Sequence, residues 1–409
     1  MRILAAMIVR GLPLPLSTYR ARRARAAAIT TRLAGRRVPL LLIGCGEEQL
    51  RRERQDPWFD YYSGCHEPEA ALLIDPTAPH GRDTLFLDAG DPARIVWEGP
   101  RLGPGATAAR LHGVHACLPR AELTARVLKA AKRAGHRLMM CTREREPGFQ
   151  AAAFATWTKQ LKGIEVINAE PQLVHQRMYK DAAEVALFRT AIAITAAGLK
   201  KVLPRIPKLR RECDVAAELI AEYRRVAYAP LAFPPIVGSG VHGATLHYPH
   251  NDQPLVRGAP LLIDSGATAG GYCADVTRTV PQQGRFSSRR FREVYELVLR
   301  CNALGRAHAR PGITREELNA IAWKPITDAG FTRHHGLSHH IGLDVHDPAD
   351  YSVPLAPGMV ISNEPGVYLP DEGFGIRIED DLLITTDGNE ELTRHIPKTI
   401  PLLEAAMRG

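Results

Sequence analysis

The sequence predicts a two-domain protein in which an α/β unit over residues 1–172 precedes an α+β domain over residues 173–409. Its 409 residues, 45% of them hydrophobic, are enough for two buried cores. In the first part, short apolar runs bounded by turn residues alternate with stretches of helical composition. The apolar runs are 38–43, 69–74 and 83–88, and the helical stretches are 120–134 and 149–162.

After Pro171 the pattern changes to long helices and antiparallel-looking strand pairs, which is typical of an α+β domain. Three helices are predicted to begin at capping residues, namely Asp181 with Glu184, Ser288, and Thr314 with Glu317. The first of these helices should end before Pro204. The strand candidates are 260–264, 272–280, 358–363 and 375–385.

Basic residues outnumber acidic ones by 53 to 44, and seven arginines crowd one early segment. Apart from Tyr19, no aromatic residue that could stack on a nucleic-acid base lies among them. We therefore interpret the segment as an amphipathic helix with a solvated basic face, and we expect no nucleic-acid partner. The arginines are Arg20, Arg22, Arg23, Arg25, Arg32, Arg36 and Arg37.

The seven cysteines are widely spread and form no C-x-x-C pair. That pattern favours reduced thiols and predicts a cytoplasmic protein. The apolar stretch at Met1–Val9 is too short to span a bilayer. The sequence therefore predicts neither a signal peptide nor a membrane segment, and no membrane partner is expected.

Two aspartates lie where a strand and its returning neighbour are predicted to meet. Asp264 ends the apolar run 260–264, and Asp275 follows the turn at Gly270 and Gly271. A strand, a tight turn and a returning strand would bring both carboxylates onto neighbouring strands. Taken singly, an aspartate before Ser-Gly is more often a turn former.

Four histidines lie close together at His335, His339, His340 and His346. Imidazole can act as a neutral metal ligand or carry a proton near neutral pH, so such a cluster suits hydrolysis. It could equally bind a lone metal or stay solvated. His247 is a further imidazole upstream, of a kind that is usually structural or exposed.

Two glutamates complete the set of candidate residues. Glu364 follows a short apolar run, and Glu379 lies two residues after Arg377. Because strand side chains alternate, Arg377 and Glu379 share one face. The guanidinium could grip a substrate carboxylate or hold a ligand, and an ordinary cross-strand ion pair is the alternative.

Together these residues provide four carboxylates and one imidazole: Asp264, Asp275, His339, Glu364 and Glu379. Such a set suits two adjacent hard divalent cations, which can turn a water into a nucleophile. The sequence contains no G-x-S-x-G elbow and no Gly-rich phosphate loop of either common type. The residues alone thus indicate a two-metal hydrolase.

These motifs resemble the pita-bread metallopeptidases, the family of methionine aminopeptidase, aminopeptidase P and prolidase. The resemblance extends from about residue 180 to the end and rests on five ordered phrases: LLIDSG, ADVTRTV, HGLSHHIGLDVHD, NEPG and GIRIED. It implies a C-terminal pita-bread (creatinase/aminopeptidase) domain. In the first domain Arg54–Gln55–Asp56, Glu67–Pro68–Glu69 and Ile95–Val96–Trp97 resemble the aminopeptidase P amino-terminal domain, which narrows the resemblance to the proline-directed branch.

The resemblance implies that Asp264 binds one metal, that Asp275 and Glu379 bridge both, that His339 completes one site, and that Glu364 completes the other and shuttles protons. Ligation by oxygen and nitrogen alone suits Mn²⁺, while Zn²⁺ or Co²⁺ could occupy the same site.

For the remaining residues, the resemblance implies that His247, His335 and His346 line the pocket and stabilise charge on the attacked carbonyl. Arg377 would orient Glu379 or the substrate, and Tyr368 would assist the tetrahedral intermediate.

The resulting expectation is a Xaa-Pro aminopeptidase, which releases the residue ahead of proline from peptides. A Xaa-Pro dipeptidase shares the ligands and is the nearest alternative. A metal-free creatinase-like hydrolase and a catalytically dead binding protein both predict lost ligands, yet all five are present. His340, where this branch often has tryptophan, and the short 364–379 loop leave the preferred substrate length open. The resemblance also implies a homodimer or homotetramer.

Overall fold

The computed structural model describes residues 12–33, 35–52, 54–79, 83–91, 93, 95–141, 149–227 and 230–408. They form two compact units, one ending at Gln176 and the other beginning at Arg177. This division lies inside the helix Glu170–Met178, and the sequence-based boundary near 172 falls in the same helix. The apolar stretch at Met1–Val9 is outside the described residues.

The first unit alternates short strands with helices, as the sequence predicts. Its helices are α1 (Leu16–Leu33), α2 (Glu47–Arg52), α3 (Pro57–Ser63), α4 (Ile95–Glu98), α5 (Ala106–His112), α6 (Leu123–Arg133), α7 (Phe149–Gln160) and α8 (Glu170–Met178). Its strands are β1 (Leu40–Ile43), β2 (Ala71–Ile74), β3 (Asp83–Leu87), β4 (Ala116–Pro119), β5 (Arg137–Met140) and β6 (Glu165–Asn168).

These six strands form one mixed sheet in the order β4-β3-β2-β1-β5-β6. The central strands β1, β2 and β3 pair antiparallel, whereas β4, β5 and β6 join in parallel. Every residue of β1 and β2 is buried, as expected for strands that are covered on both faces. Leu41, Phe86, Val127, Leu138 and Trp157 belong to the core cluster on this sheet.

Two arginines of α1 contradict the predicted solvated basic face. Arg22 and Arg23 are 1% and 0% exposed. Arg22 Nη1 donates to the carbonyl of Tyr61 at 3.0 Å, and Arg23 donates to the carbonyls of Tyr62 at 2.8 Å and Gly113 at 2.6 Å. The prediction is wrong here because backbone carbonyls supply the acceptors that a buried guanidinium needs.

The second unit contains the long helices and strand pairs predicted for an α+β domain. Its helices are α9 (Ala182–Val202), α10 (Glu212–Ala227), α11 (Arg289–His308), α12 (Arg315–Ala322), α13 (Lys324–Asp328) and α14 (Ile400–Ala406). Its strands are β7 (Ile236–Ser239), β8 (Pro260–Ser265), β9 (Thr268–Ala269), β10 (Tyr272–Cys273), β11 (Val276–Pro281), β12 (Val360–Asn363), β13 (Gly366–Leu369), β14 (Phe374–Arg377), β15 (Asp380–Ile384) and β16 (Asn389–Glu391).

The three predicted capping residues begin their helices. The Asp181 side chain accepts from the backbone N–H of Glu184, and Ser288 accepts from that of Phe291. Thr314 forms the third cap, a reciprocal capping box with Glu317. These helix starts are confirmed.

By length and composition, the segment from Ala182 to Lys208 could cross a membrane. Its apolar residues Phe188, Ile192 and Leu199 are buried inside the second unit, where α9 contacts α10 and the β9–β10 hairpin. The apolar character of the segment is therefore explained by its place in the core.

Three small antiparallel sheets bring the candidate residues together. In the first, β8 lies between β7 and β11, and Asp264 pairs with Thr277 across it. The second joins β12, β15 and β16, and the third is the β13–β14 hairpin. Glu364 follows β12, and Glu379 lies between β14 and β15, so each glutamate occupies a strand end.

Candidate metal centre

The imidazole of His339 faces three carboxylates. Its Nε2 lies 3.4 Å from Asp275 Oδ2, 3.5 Å from Glu364 Oε1 and 3.9 Å from Glu379 Oε1. One ligand atom each from Asp275, His339 and Glu379 lie within 4.8 Å of one another. The structure thus gathers four of the five predicted ligands around a single point.

Backbone hydrogen bonds hold the segments that carry these ligands. The N–H of Glu364 donates to the carbonyl of Leu337 at 2.9 Å, and the N–H of Ser362 donates to the backbone carbonyl of His339 at 2.9 Å. The N–H of Glu379 donates to the carbonyl of Thr277 at 3.1 Å. Segments distant in sequence are therefore tied together at the main chain.

The hydrogen bonding of His339 fixes which ring nitrogen is free. Nδ1 lies 3.1 Å from the carbonyl of His340, which can only accept, so Nδ1 carries the proton. Burial, together with His346, lowers the pKa of His339 to about 3, so the ring is neutral near pH 7. Its bare Nε2 lone pair therefore points at three carboxylates, an arrangement that a cation between them stabilises.

The pKa values of the carboxylates also indicate that this site binds positive charge. Burial and then Glu379 raise the pKa values of Asp275 and Glu364 well above their ordinary range. Burial and then Asp264 raise the pKa of Glu379 to about 8. Oδ1 of Asp264 and Oδ1 of Asp275 are buried without a hydrogen-bond partner among the described residues. This donor set fits divalent metal ions, which relieve the repulsion and use the unpartnered oxygens.

Asp264 is held by the arginine that the sequence places near Glu379. Arg377 Nη2 donates to Asp264 Oδ2 at 2.6 Å, and Nη1 donates to the hydroxyl of Tyr368 at 3.2 Å. Its Nε donates to Thr277 Oγ1 at 3.0 Å, whereas Glu379 Oε2 is 4.0 Å away. Arg377 is 2% exposed, and its guanidinium contacts Asp264 directly and Glu379 through Thr277.

Tyr368 and His335 form one hydrogen-bonded pair beside this arginine. His335 Nδ1 lies 2.8 Å from the carbonyl of Gly336 and therefore carries the proton, which leaves Nε2 to accept from the Tyr368 hydroxyl at 2.9 Å. Burial lowers the pKa of His335 to about 4 and raises that of Tyr368 to about 12. Near pH 7 both groups are neutral.

The other two predicted histidines lie at the exposed side of the cluster. The ring of His346 stacks on that of His339 with centroids 4.0 Å apart. His247 is 6.2 Å from His346, centroid to centroid, and both are exposed. Burial and then His247 lower the pKa of His346.

Sequence reasoning missed two buried residues of the site. Thr277 Oγ1 donates to Glu379 Oε2 at 2.6 Å, and Asp381 Oδ2 accepts from the backbone N–H of Asp275 at 3.2 Å. Thr277 lies two residues after Asp275, so strand alternation could have indicated a shared face. Asp381 had no such signal, because its partner is distant in the sequence.

The two departures noted in the sequence have defined places in the structure. His340 is 4% exposed, its ring is 5.7 Å from that of Tyr351, and its Nδ1 has no partner among the described residues. The short 364–379 segment forms the β13–β14 hairpin, and Glu372 in its turn receives two hydrogen bonds from Arg290. The hairpin is thus fixed to α11.

Comparison with known proteins follows the same division of the chain. Residues 186–386 match metallopeptidase family M24, and residues 51–139 match the aminopeptidase P N-terminal domain. A Xaa-Pro aminopeptidase of Haemophilus influenzae is 31% identical to this chain, and the alignment covers 87% of this chain and 88% of the relative. Intermediate cleaving peptidase 55, a mitochondrial protein of Arabidopsis thaliana, is 32% identical, covering 87% of this chain and 75% of its own.

Among solved structures, aminopeptidase P from Escherichia coli with the inhibitor Pro-Leu superposes with a TM-score of 0.83 at 29% identity, over 96% of this chain and 98% of that one. Fold, carboxylate site and relatives define a metallo-exopeptidase of the pita-bread class, which confirms the predicted fold and enzyme class. The chain belongs to metallopeptidase family M24, in its aminopeptidase P branch.

Proposed function

We propose that the protein is a Xaa-Pro aminopeptidase that uses two divalent metal ions to release the first residue ahead of a proline. The observation that carries the proposal is the bare Nε2 of His339, which faces Asp275, Glu364 and Glu379 within 3.9 Å. Asp264, held by Arg377, supplies the fifth ligand. When bound, the metal ions polarise the scissile carbonyl and lower the pKa of a water.

Glu364 is the proton carrier in this proposal. Its side chain is 16% exposed, whereas those of Asp275 and Glu379 are 5% and 2% exposed, so Glu364 has the better access to substrate. A carboxyl group with this access can take a proton from water and deliver it to the leaving proline nitrogen.

His335 and Tyr368 act in the proposal as a neutral pair beside the reacting carbonyl. The Tyr368 proton is shared with His335 Nε2, and Arg377 fixes the hydroxyl from its other side. His346 and His247 lie on the exposed side, where substrate enters. The two exposed histidines are placed to bind the peptide and to stabilise developing negative charge, and Tyr368 can do so once its hydroxyl turns its proton from His335 to the substrate.

The engagement of Arg377 favours an aminopeptidase over a dipeptidase. A dipeptidase must recognise the free carboxylate of the proline residue, and Arg377 was one candidate for that role. Its Nε, Nη1 and Nη2 instead donate to Thr277, Tyr368 and Asp264, and its side chain is 3% exposed. It is therefore not available to a substrate carboxylate.

The test compares Xaa-Pro, Xaa-Pro-Xaa-Xaa and Xaa-Ala-Xaa-Xaa peptides after chelation and after return of Mn²⁺. We expect cleavage of the proline-containing tetrapeptide only with metal, and cleavage of the alanine peptide at least about tenfold more slowly. Exclusive cleavage of the dipeptide would establish the dipeptidase instead. Equal cleavage of the alanine peptide, or full activity without metal, would contradict the proposal.

We propose Mn²⁺ as the metal because all the ligands are oxygen or nitrogen atoms. We further propose a cytoplasmic location, supported by seven cysteines that are all free thiols. Metal analysis of protein purified without chelator tests the first proposal, since bound Zn²⁺ would replace it. Fluorescent tagging in the source cell tests the second.

We also propose a homodimer or homotetramer. Val96 and Trp97 in α4 are 92% and 83% exposed. Neighbouring large apolar side chains that face solvent often mark a protein–protein interface. Light scattering on the purified protein should give twice or four times the chain mass of 45.0 kDa. A single-chain mass at micromolar concentration would contradict it.

A further inference from the structure

We infer that Thr277 is a positioning residue that orients both the metal-ligating carboxylate of Glu379 and the guanidinium of Arg377. The inference rests on the proposed two-metal function. Thr277 is 0% exposed, on β11, and Asp264 is its cross-strand partner. Thr277 is not among the predicted metal ligands, and its hydroxyl bonds Glu379 and Arg377, so its influence passes through these two partners.

The direction of each hydrogen bond follows from chemistry. Arg377 Nε can only donate, so at 3.0 Å the Thr277 oxygen is its acceptor. The hydroxyl proton is then directed to Glu379 Oε2, which lies 2.6 Å away. One hydroxyl therefore joins a guanidinium and a carboxyl group that are too far apart to hydrogen-bond each other, at 4.0 Å.

This arrangement fixes Glu379 in the orientation that the site requires. While Oε2 accepts from Thr277, Oε1 points toward His339 Nε2 at 3.9 Å. The same hydroxyl keeps Arg377 aimed at Asp264 and Tyr368. Loss of the hydroxyl removes the hydrogen bond that orients Glu379 and leaves Arg377 with its bonds to Asp264 and Tyr368 but without the one at Nε.

The chain offers a closely matched control two residues along the same strand. Thr279 is also 0% exposed, and among the described residues its hydroxyl bonds only to the main chain of Arg377, donating to the carbonyl at 3.0 Å and accepting from the N–H at 3.1 Å. Thr277→Val and Thr279→Val therefore make the same chemical change at the same depth. If Thr277 had only a structural role, the two substitutions would change Mn²⁺ affinity to the same extent.

The experiment measures Mn²⁺ affinity of the chelated full-length protein by titration calorimetry, together with kcat and KM on a Xaa-Pro tetrapeptide. We expect Thr277→Val to weaken Mn²⁺ binding and to lower kcat by about 10- to 100-fold, the range typical of residues behind a metal ligand. Thr277→Ser, which keeps the hydroxyl, and Thr279→Val should stay within about threefold of wild type in Mn²⁺ affinity. KM should change less than kcat in Thr277→Val.

Thr277→Ala serves as a second variant without the hydroxyl, and circular dichroism establishes that each variant is folded. Mn²⁺ affinity of both Thr277→Val and Thr277→Ala equal to that of Thr279→Val would overturn the inference. So would a serine variant as weak as the valine variant. If wild type itself binds no metal and cleaves no Xaa-Pro peptide, the proposed function fails and the inference falls with it.

Discussion

Glu379 and Asp380 are neighbours in the chain, both are buried, and their surroundings are opposite. Asp380 receives hydrogen bonds from Arg278 at 2.7 Å, Lys398 at 2.6 Å, Thr393 at 2.9 Å and Asn302 at 3.0 Å. Burial opposes its ionisation, yet Arg278 and Lys398 hold its pKa below the ordinary range. Asp380 is therefore a satisfied, permanently ionised carboxylate.

Glu379 shows the contrasting environment. Its nearest charges include Asp264 and the carboxylates of Asp275 and Glu364, and burial with Asp264 raises its pKa to about 8. Only Thr277 donates to it among the described side chains, and Arg377 stands 4.0 Å off. The comparison teaches that paired buried charge serves the stability of this domain, whereas unpaired buried charge marks where a cation is to bind.

The first way to break the comparison is to neutralise the unpaired carboxylate. Glu379→Gln should lower kcat/KM on a Xaa-Pro tetrapeptide at least about a thousandfold, equal to about 4 kcal/mol, because a bridging ligand is lost. Its free energy of unfolding without metal at about pH 8 should not fall, since a repelling charge has been removed. A variant that unfolds more easily and still cleaves peptide would show that Glu379 stabilises the fold and does not bind metal.

Neutralising the paired carboxylate, Asp380, should instead lower the stability of the protein. Asp380→Asn leaves the buried Arg278 without its anion and leaves Lys398 paired with Glu391 alone, and it should lower the free energy of unfolding by about 3–5 kcal/mol. Urea denaturation of the chelated protein measures the loss. A change of less than about 1 kcal/mol would mean that Asp380 contributes little to stability.

The pH dependence of stability sharpens the comparison without mutation. A carboxyl group whose folded pKa is raised binds more protons in the folded state, so stability falls as pH rises toward that pKa. Between about pH 6.5 and about pH 8.5, ionisation of Glu379 should lower the melting temperature of chelated protein, and added Mn²⁺ should reverse the trend. Thermal melts at both values with and without metal decide it. A chelated protein that gains stability over this range would refute the electrostatic account.

The smallest effect is expected where an ion pair is exposed. Arg189 forms two hydrogen bonds of 2.6 Å to Glu390, with side chains 50% and 30% exposed. Arg189→Ala should cost less than about 1 kcal/mol, and the difference should shrink at high salt because water and ions screen the pair. Urea denaturation at two salt concentrations provides the measurement. A loss as large as that of Asp380→Asn would remove burial as the explanation of the contrast.

The sequence could predict what depends on local pattern. The caps at Asp181, Ser288 and Thr314 begin their helices as expected, and the phrases around His339 and Glu379 indicate ligands because each phrase is short and contiguous. The α+β class also followed from such patterns, since hairpins are local.

What could not be predicted depends on partners distant in the chain. Arg278 meets Asp380 across 102 positions, and Thr277 meets Glu379 across the same separation. The buried Arg22 and Arg23 were misjudged for this reason, because the carbonyls of Tyr61 and Tyr62 that accept from them lie 39 positions away. The sequence shows that these residues are charged, but the backbone carbonyls that allow them to be buried can be identified only in the folded structure.

The position of Arg278 makes the segment that carries Glu379 depend on residues later in the chain. Its Nε donates to the carbonyl of Pro397 at 2.8 Å, and its Nη2 donates to that of Ile396 at 3.3 Å. Its Nη1 donates to the carbonyls of Thr277 and Glu379 at 2.9 Å and 2.6 Å. The support behind Glu379 therefore includes Ile396 and Pro397, which follow it in the chain. A chain that carries all five ligands therefore still needs this later segment to hold Glu379 in place for metal binding.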